Sequence, residues 1–155
     1  MLVGLISDTH GLVRPEVADA LAGVDLILHA GDVGGPSVIS ALAAIAPVRA
    51  VTGNTDPPED RLPSTIDCIL DGIRIHVSHG HEIGTPTPER LVARYTADVI
   101  VYGHTHRRLL KELGATIVVN PGAAGPRRFD VQPSLALLTL PERRVRFVDP
   151  SRLRG

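Results

Sequence analysis

The chain of 155 residues is 43% apolar and sets sixteen basic against seventeen acidic residues, for a formal net charge of −1. Length and composition point to one globular domain, 1–155, able to bury a core, and exclude a disordered chain. Balanced charge and an aromatic content of 3% without Trp argue against a nucleic-acid partner, which needs a basic face or stacking platforms.

Leu2–Ile6 is an unbroken apolar run and predicts a strand covered on both faces. A helix over about Pro15–Ala22, a strand over Asp25–Ala30, a helix over Pro36–Ala46 and a strand over Val48–Thr52 follow, an order that implies parallel strands with helical crossovers. Pro57, Pro58 and Pro63 make 55–64 a loop. Thr65–Leu70 and Ile73–Ser78 flank Asp71-Gly72, a hairpin signal. After a loop over His81–Pro88 come a short helix, about Glu89–Thr96, and strands over Asp98–Tyr102, Arg107–Leu113, Thr116–Val119, Leu135–Leu140 and Val145–Val148. A parallel half followed by an antiparallel half suggests two packed sheets with helices outside. The apolar runs are too short to span a membrane, and no basic region precedes the N-terminal one, so no membrane partner and a cytoplasmic location are expected. Cys68, the one cysteine, rules out an internal disulfide framework and a Cys-rich zinc site.

The polar residues with ligand chemistry are grouped. Asp8 and His10 follow the first strand, Asp32 the second, Asn54 the third, His79 the second hairpin strand, and His104 and His106 the strand ending at Tyr102. Ligands of open α/β sheets bind at such C-terminal strand ends. Carboxylate and imidazole donors suit divalent first-row metals such as Mn, Fe, Zn, Co or Ni. Seven candidates are too many for one ion and fit two ions that share a carboxylate, about 3.5–4 Å apart. Two divalent cations against Asp8, Asp32 and a bridging hydroxide leave about one positive charge, which suits a phosphodiester monoanion.

Asp8-Thr9-His10, Gly31-Asp32, Gly53-Asn54-Thr55-Asp56, His79-Gly80-His81 and Gly103-His104-Thr105-His106, with Asn120-Pro121-Gly122 as a sixth segment, resemble the motifs of the calcineurin-like metallophosphoesterases. Together they resemble the small single-domain prokaryotic phosphodiesterase branch, to which the metallophosphoesterase-like subunit of eukaryotic retromer is related. The resemblance runs from Leu2 to about Leu140. It implies a four-layer α/β/β/α sandwich of two mixed sheets flanked by helices. It also implies two divalent metal ions, Mn first among them. Asp8, His10 and His106 would hold one ion, Asn54, His79 and His104 the other, and Asp32 would bridge them. The implied reaction is phosphodiester hydrolysis by in-line attack of a metal-bridging hydroxide. Many family members carry His after the Asn, assigned as the acid that protonates the leaving group, whereas Thr55 stands here. His81, Asp56 or a metal-bound water is then left as the proton source, and substrates with good leaving groups are expected to react fastest.

Other residues have plainer readings. His29 and His76 lie inside strands and read as core or sheet histidines. Arg127 and Arg128, after Gly125-Pro126, are candidate contacts to a substrate phosphate. A phosphomonoesterase or nuclease on the same site, and a non-catalytic metal-binding scaffold, stand as alternatives. Leu109-Leu110 offers an apolar patch for a homo-oligomer.

Overall fold

The computed structural model describes residues 1–127 and 131–153. Its elements run in the order β1 (Leu2–Ile6), α1 (Pro15–Ala20), β2 (Leu26–His29), α2 (Pro36–Ala43), β3 (Val48–Ala50), β4 (Thr65–Leu70), β5 (Ile73–Ser78), α3 (Pro88–Arg94), β6 (Val99–Val101), β7 (Leu109–Leu113), β8 (Thr116–Asn120), β9 (Leu135–Thr139) and β10 (Arg144–Val148). Single 3-10 turns lie at Pro58–Asp60, His81–Ile83 and Pro150–Arg152. No helix among the described residues is long and apolar enough to cross a membrane.

Proline opens each helix: Pro15, Pro36 and Pro88 stand in the first turn, where a missing N–H costs nothing and the ring presets φ. The third helix begins at Pro88, one residue before its expected start, because the Thr87 side chain accepts the Arg90 N–H at 3.2 Å and caps it. The second ends at Ala43 and not Ala46, as Ile45 N reaches back only three residues to Leu42 O, at 2.9 Å. The hairpin β4–β5 turns through Asp71 and Gly72, whose φ values of 50° and 76° match the left-handed pair that a tight two-residue connection demands.

The strands form two mixed five-stranded sheets, ordered β10-β9-β1-β2-β3 and β4-β5-β6-β8-β7. In the first, β1, β2 and β3 are parallel while β9 and β10 run antiparallel. In the second, β5, β6 and β8 are parallel, with β4 and β7 antiparallel on the two edges. The division into a parallel and an antiparallel half is therefore corrected: each sheet has a parallel centre. The last two strands return to β1, Val3 pairing with Leu138.

Side-chain alternation builds the layers. Val3 and Leu5 of β1, Leu26 and Leu28 of β2, Val99 and Val101 of β6, Ile117 and Val119 of β8, and Ala136 and Leu138 of β9 meet between the sheets. The intervening positions face outward: Ile6, Ile27, Leu135 and Leu137 pack under Val17, Leu21, Val38 and Leu42 of the α1 and α2 region. On the opposite outer face Ile100 and Val118 pack with Leu91 of α3. Three apolar layers thus separate four structural ones, the α/β/β/α sandwich that the resemblance implied. Each fully buried Leu or Ile contributes roughly 1.5–3 kcal/mol. The parallel strands of both sheets end at one rim, and the loops leaving that rim carry the polar residues.

Candidate metal centre

At the rim, backbone hydrogen bonds lock the loops to one another. Asp8 N donates to Gly31 O and His10 N to Asp32 O, both at 3.0 Å, joining the loops after β1 and β2. Gly103 N donates to His79 O at 3.0 Å, joining the loops after β5 and β6. The two sheets connect where His104 N donates to Asp8 Oδ2 at 3.2 Å.

Asp8, His10, Asp32, His104 and His106 have φ values of 55°, 47°, 55°, 72° and 64°. Non-glycine residues occupy this left-handed region at a cost of about 1–3 kcal/mol each, and they persist there only where the surroundings impose it. That five of the seven sequence-derived ligands share it marks the rim as a strained, functional constellation. Glycine is required beside two of them. A Cβ on Gly53 would run into the Asp32 carboxylate and backbone N, and one on Gly103 would strike Ser7 Oγ and come within 2.7 Å of Asp8 Oδ2.

The donor atoms converge. One atom each from Asp8, His10, Asp32 and His106 lies within 4.8 Å of the others, close to the ~4.2 Å span of donors that sit ~2.1 Å from one ion. Asp8 Oδ1 faces His106 Nε2 at 3.3 Å, His79 Nε2 at 3.8 Å and His10 Nε2 at 3.9 Å. Beside this set, Asn54 Oδ1 lies 3.0 Å from His79 Nε2 and 3.2 Å from His104 Nδ1. Asp32 Oδ2 touches both groups, 3.7 Å from His10 Nε2 and 3.3 Å from His79 Nε2. All seven candidates meet in one place, in two groups that share Asp32.

The buried polar atoms test whether metal ions fit. Asp8 is fully buried, and its Oδ1 has no hydrogen-bond partner among the described residues. Its Oδ2 is satisfied, accepting from Ser7 Oγ at 2.6 Å as well as from His104 N. An orphaned buried carboxylate oxygen costs several kcal/mol, and a cation removes that cost. His79 is turned toward the same point. Its Nδ1 donates to Ala30 O at 2.7 Å, which leaves Nε2 aimed at three oxygens that only accept, those of Asn54, Asp32 and Asp8. A backbone carbonyl on Nδ1 is the usual device that orients a metal-binding imidazole. The residues fit divalent cations with N and O ligation.

Electrostatics agree with a cation-seeking site. Burial works against ionisation of Asp32, yet His79 and the Thr55 N–H, which donates to Oδ1 at 3.0 Å, hold its carboxyl well below the usual carboxylate range. Burial pulls the His79 imidazole down, but the neighbouring Asp32 and Asp8 carboxylates outweigh it and raise its pKa. His104 is shifted down, by burial first and then by the charge of His79.

The remaining candidates take distinct places. Asp56 sits off the donor cluster. Its Oδ2 accepts Gly53 N at 2.8 Å and Val33 N at 3.1 Å, and its Oδ1 accepts Gly34 N at 3.1 Å, so it ties the loop after β3 to that after β2. His81 is half-buried, its ring 5.3 Å from His79 and 6.4 Å from His104. Arg127 is exposed and shares a narrow cleft with His106. Arg128 lies outside the described residues.

Three supports gain a defined role in the structure; the sequence reading had Asn120 in the sixth segment and His29 as a strand histidine, and passed over Ser7. Ser7 holds Asp8 from the strand itself; a hydroxyl ending an apolar run was its one signal. Asn120, fully buried, donates to Gly103 O at 3.1 Å and Thr105 Oγ1 at 3.0 Å and so shapes the loop carrying His104 and His106. His29 accepts Gly31 N on Nδ1 at 3.1 Å, which leaves Nε2 to donate to Thr9 Oγ1 at 2.9 Å. Thr9 passes its own proton to Val33 O at 2.7 Å. Burial pushes His29 down to about 4, against the pull of Asp8 and Asp56, so the ring is neutral. His76, inside β5, binds Asp67 Oδ1 through Nδ1 at 2.8 Å and stacks on Tyr95.

A four-layer sandwich whose parallel strand ends converge carboxylates and imidazoles on one rim has the build of a metallophosphoesterase. The chain belongs to the calcineurin-like phosphoesterase superfamily, whose domain matches residues 1–143, and falls in its small prokaryotic branch. It is 37% identical to a probable metallophosphoesterase of Methanothermobacter thermautotrophicus over 157 residues, 90% of this chain and 86% of the relative. It is 28% identical to a phosphodiesterase of Methanocaldococcus jannaschii, over 79% of this chain and 83% of that one. Among solved structures it is similar to Zn²⁺-complexed Vps29 of Entamoeba histolytica, with a TM-score of 0.80 and 26% identity over 97% of this chain and 99% of the other. Family and donor set together make it a metal-dependent phosphoesterase.

Proposed function

We propose that the chain is a dinuclear phosphodiesterase acting on a small phosphoester in the cytoplasm. Asp8, His10 and His106 would hold one divalent ion, Asn54, His79 and His104 would hold a second, and Asp32 would serve both. The observation that supports this reading is the buried Asp8 Oδ1, without a hydrogen-bond partner among the described residues and facing three imidazole nitrogens within 3.9 Å. Two divalent ions, when bound, supply Lewis acidity and lower the pKa of water toward neutrality; manganese suits this nitrogen and oxygen set.

The protein residues do the rest. Ser7 and the His104 N–H hold Asp8, the Thr55 N–H holds Asp32 and the Ala30 carbonyl holds His79, so the donors are oriented before substrate arrives. Asn54 is exposed at the mouth and adds a neutral carbonyl oxygen. With only two carboxylates in the set, the loaded site retains positive charge for an anionic diester. Hydrolysis is in-line attack of hydroxide on phosphorus. His81, beside His79 and His104, donates the proton that the leaving alkoxide requires. Asp56 acts as a positioning residue, since both its oxygens are spent on backbone N–H groups. The unpaired, half-buried Cys68 suits a reducing compartment.

The test compares hydrolysis of bis(4-nitrophenyl) phosphate and 4-nitrophenyl phosphate by Mn²⁺-loaded protein, with Asp32→Ala as the blank. Faster diester cleavage, lost in the variant, is expected. A monoester preference overturns the substrate class. No turnover of either ester by protein with bound metal leaves a metal-binding scaffold.

A further inference from the structure

A cavity of about 320 Å³ is lined by His106 together with Arg107, Arg108, Val131, Gln132 and Ser134. It shares His106 with the metal centre, whose Asp8 Oδ1 is 3.3 Å from His106 Nε2. We propose that this cavity is a second anion subsite, which receives a phosphate or carboxylate carried on one arm of the phosphoester. The inference rests on the phosphodiesterase reading and names the class of substrate: a small diester with an additional anionic group.

Three observations carry it. Arg107 and Arg108 are exposed and have no carboxylate partner among the described residues. The Arg108 guanidinium is held over the Phe147 ring, 5.8 Å from its centre, which limits its freedom without neutralising it. Ser134 is 4% exposed, and its Oγ is a buried hydroxyl with no partner among the described residues. A polar ligand in the cavity supplies that partner, and Gln132 adds an amide. The floor is rigidly tied to the catalytic rim, since Ser134 N donates to Ala123 O and Ala124 N to Ser7 O, both at 3.0 Å.

The size and lining choose the occupant. The volume stands at the small end of ligand pockets, and its described lining holds no Phe, Tyr or Trp, so charge and hydrogen bonding carry the recognition. Guanidinium groups bind phosphate and carboxylate through paired N–H donors.

Thymidine 5′-(4-nitrophenyl phosphate), with and without a 3′-phosphate, is a matched pair for the test. With Mn²⁺-loaded protein the 3′-phosphate is expected to raise kcat/KM by about tenfold, the effect of a charge-assisted contact worth ~1.4 kcal/mol. The preference should shrink toward unity in the Arg107→Gln/Arg108→Gln variant and at high salt. A wild-type ratio near one overturns the proposal. Calorimetry on metal-free protein separates the subsite from the reaction: thymidine 3′,5′-bisphosphate should bind at least several-fold tighter than thymidine 5′-phosphate, and the double variant should lose the difference. That difference without hydrolysis of either ester keeps the subsite and sinks the phosphodiesterase reading. Equal affinities for the two nucleotides sink the subsite.

Discussion

Two histidines outside the donor cluster show how environment sorts one side chain into different tasks. His29 is fully buried and its ring is committed on both nitrogens, to Gly31 N and Thr9 Oγ1. With its pKa depressed to about 4, it stays neutral in the fold while the unfolded chain takes up a proton near pH 6.5. The sign follows: stability at this residue is complete above pH 6.5, declines as the pH falls toward about 4, and changes little further below. An imidazole NMR titration should show His29 holding its neutral shift to pH 5; a midpoint near 6.5 contradicts the assignment. His81 belongs to the reaction. If it protonates the leaving group, His81→Ala should lose about a hundredfold on an alkyl diester and far less on a 4-nitrophenyl diester, whose leaving group needs no proton. Equal losses on the two substrates reduce His81 to a support. The ligands themselves were legible because Asp, His and Asn recur just after apolar strands. Ser7 was not, since a hydroxyl ending an apolar run is ordinary until its bond to Asp8 Oδ2 is seen; Asn120 was marked by its motif segment, but its bond to Gly103, 17 residues away, was not.

At the scale of elements, the site is a set of loops stitched to rigid strand ends. Asp56 illustrates the stitching: three backbone N–H groups from two loops end on its carboxylate. Removing it leaves three donors to find water, at about 1–3 kcal/mol for any that stay buried. Asp56→Ala should therefore weaken Mn²⁺ binding by roughly 10–100-fold although Asp56 touches no proposed ligand side chain, as loss of an outer support commonly does. Unchanged affinity in an isotherm with this variant shows that the loops hold without it. The β4–β5 hairpin was readable to the residue because Asp71-Gly72 is a turn with a backbone requirement. Helix ends were less so: α2 stops short of Pro47 when its last turn tightens, which the sequence does not mark.

At the scale of the molecule, what the sequence concealed was pairing between distant strands. The apolar run of β9, LALLT, is buried on both faces and would serve at the centre of either sheet. Only the structure shows it beside β1, where Leu2 pairs with Thr139. The consequence is mechanical. With β9 in place, β1 is the central strand of its sheet, buried between the inter-sheet layer and the α1–α2 layer, and the residues just beyond it, Ser7, Asp8 and Thr9, are anchored from both sides. Leu138→Ala, at the middle of the inter-sheet layer, should cost about 2–5 kcal/mol in a denaturant titration; a loss below 1 kcal/mol contradicts the packing described.

The central claim is that one rim assembles two metal positions around a shared Asp32. A direct measurement is the metal content of protein saturated with Mn²⁺ and passed through a desalting column, counted per chain by mass spectrometry alongside Asp32→Ala. Two ions per wild-type chain, with both diminished in the variant, is the expected result. One ion per chain, or two that survive loss of Asp32, contradicts the shared site.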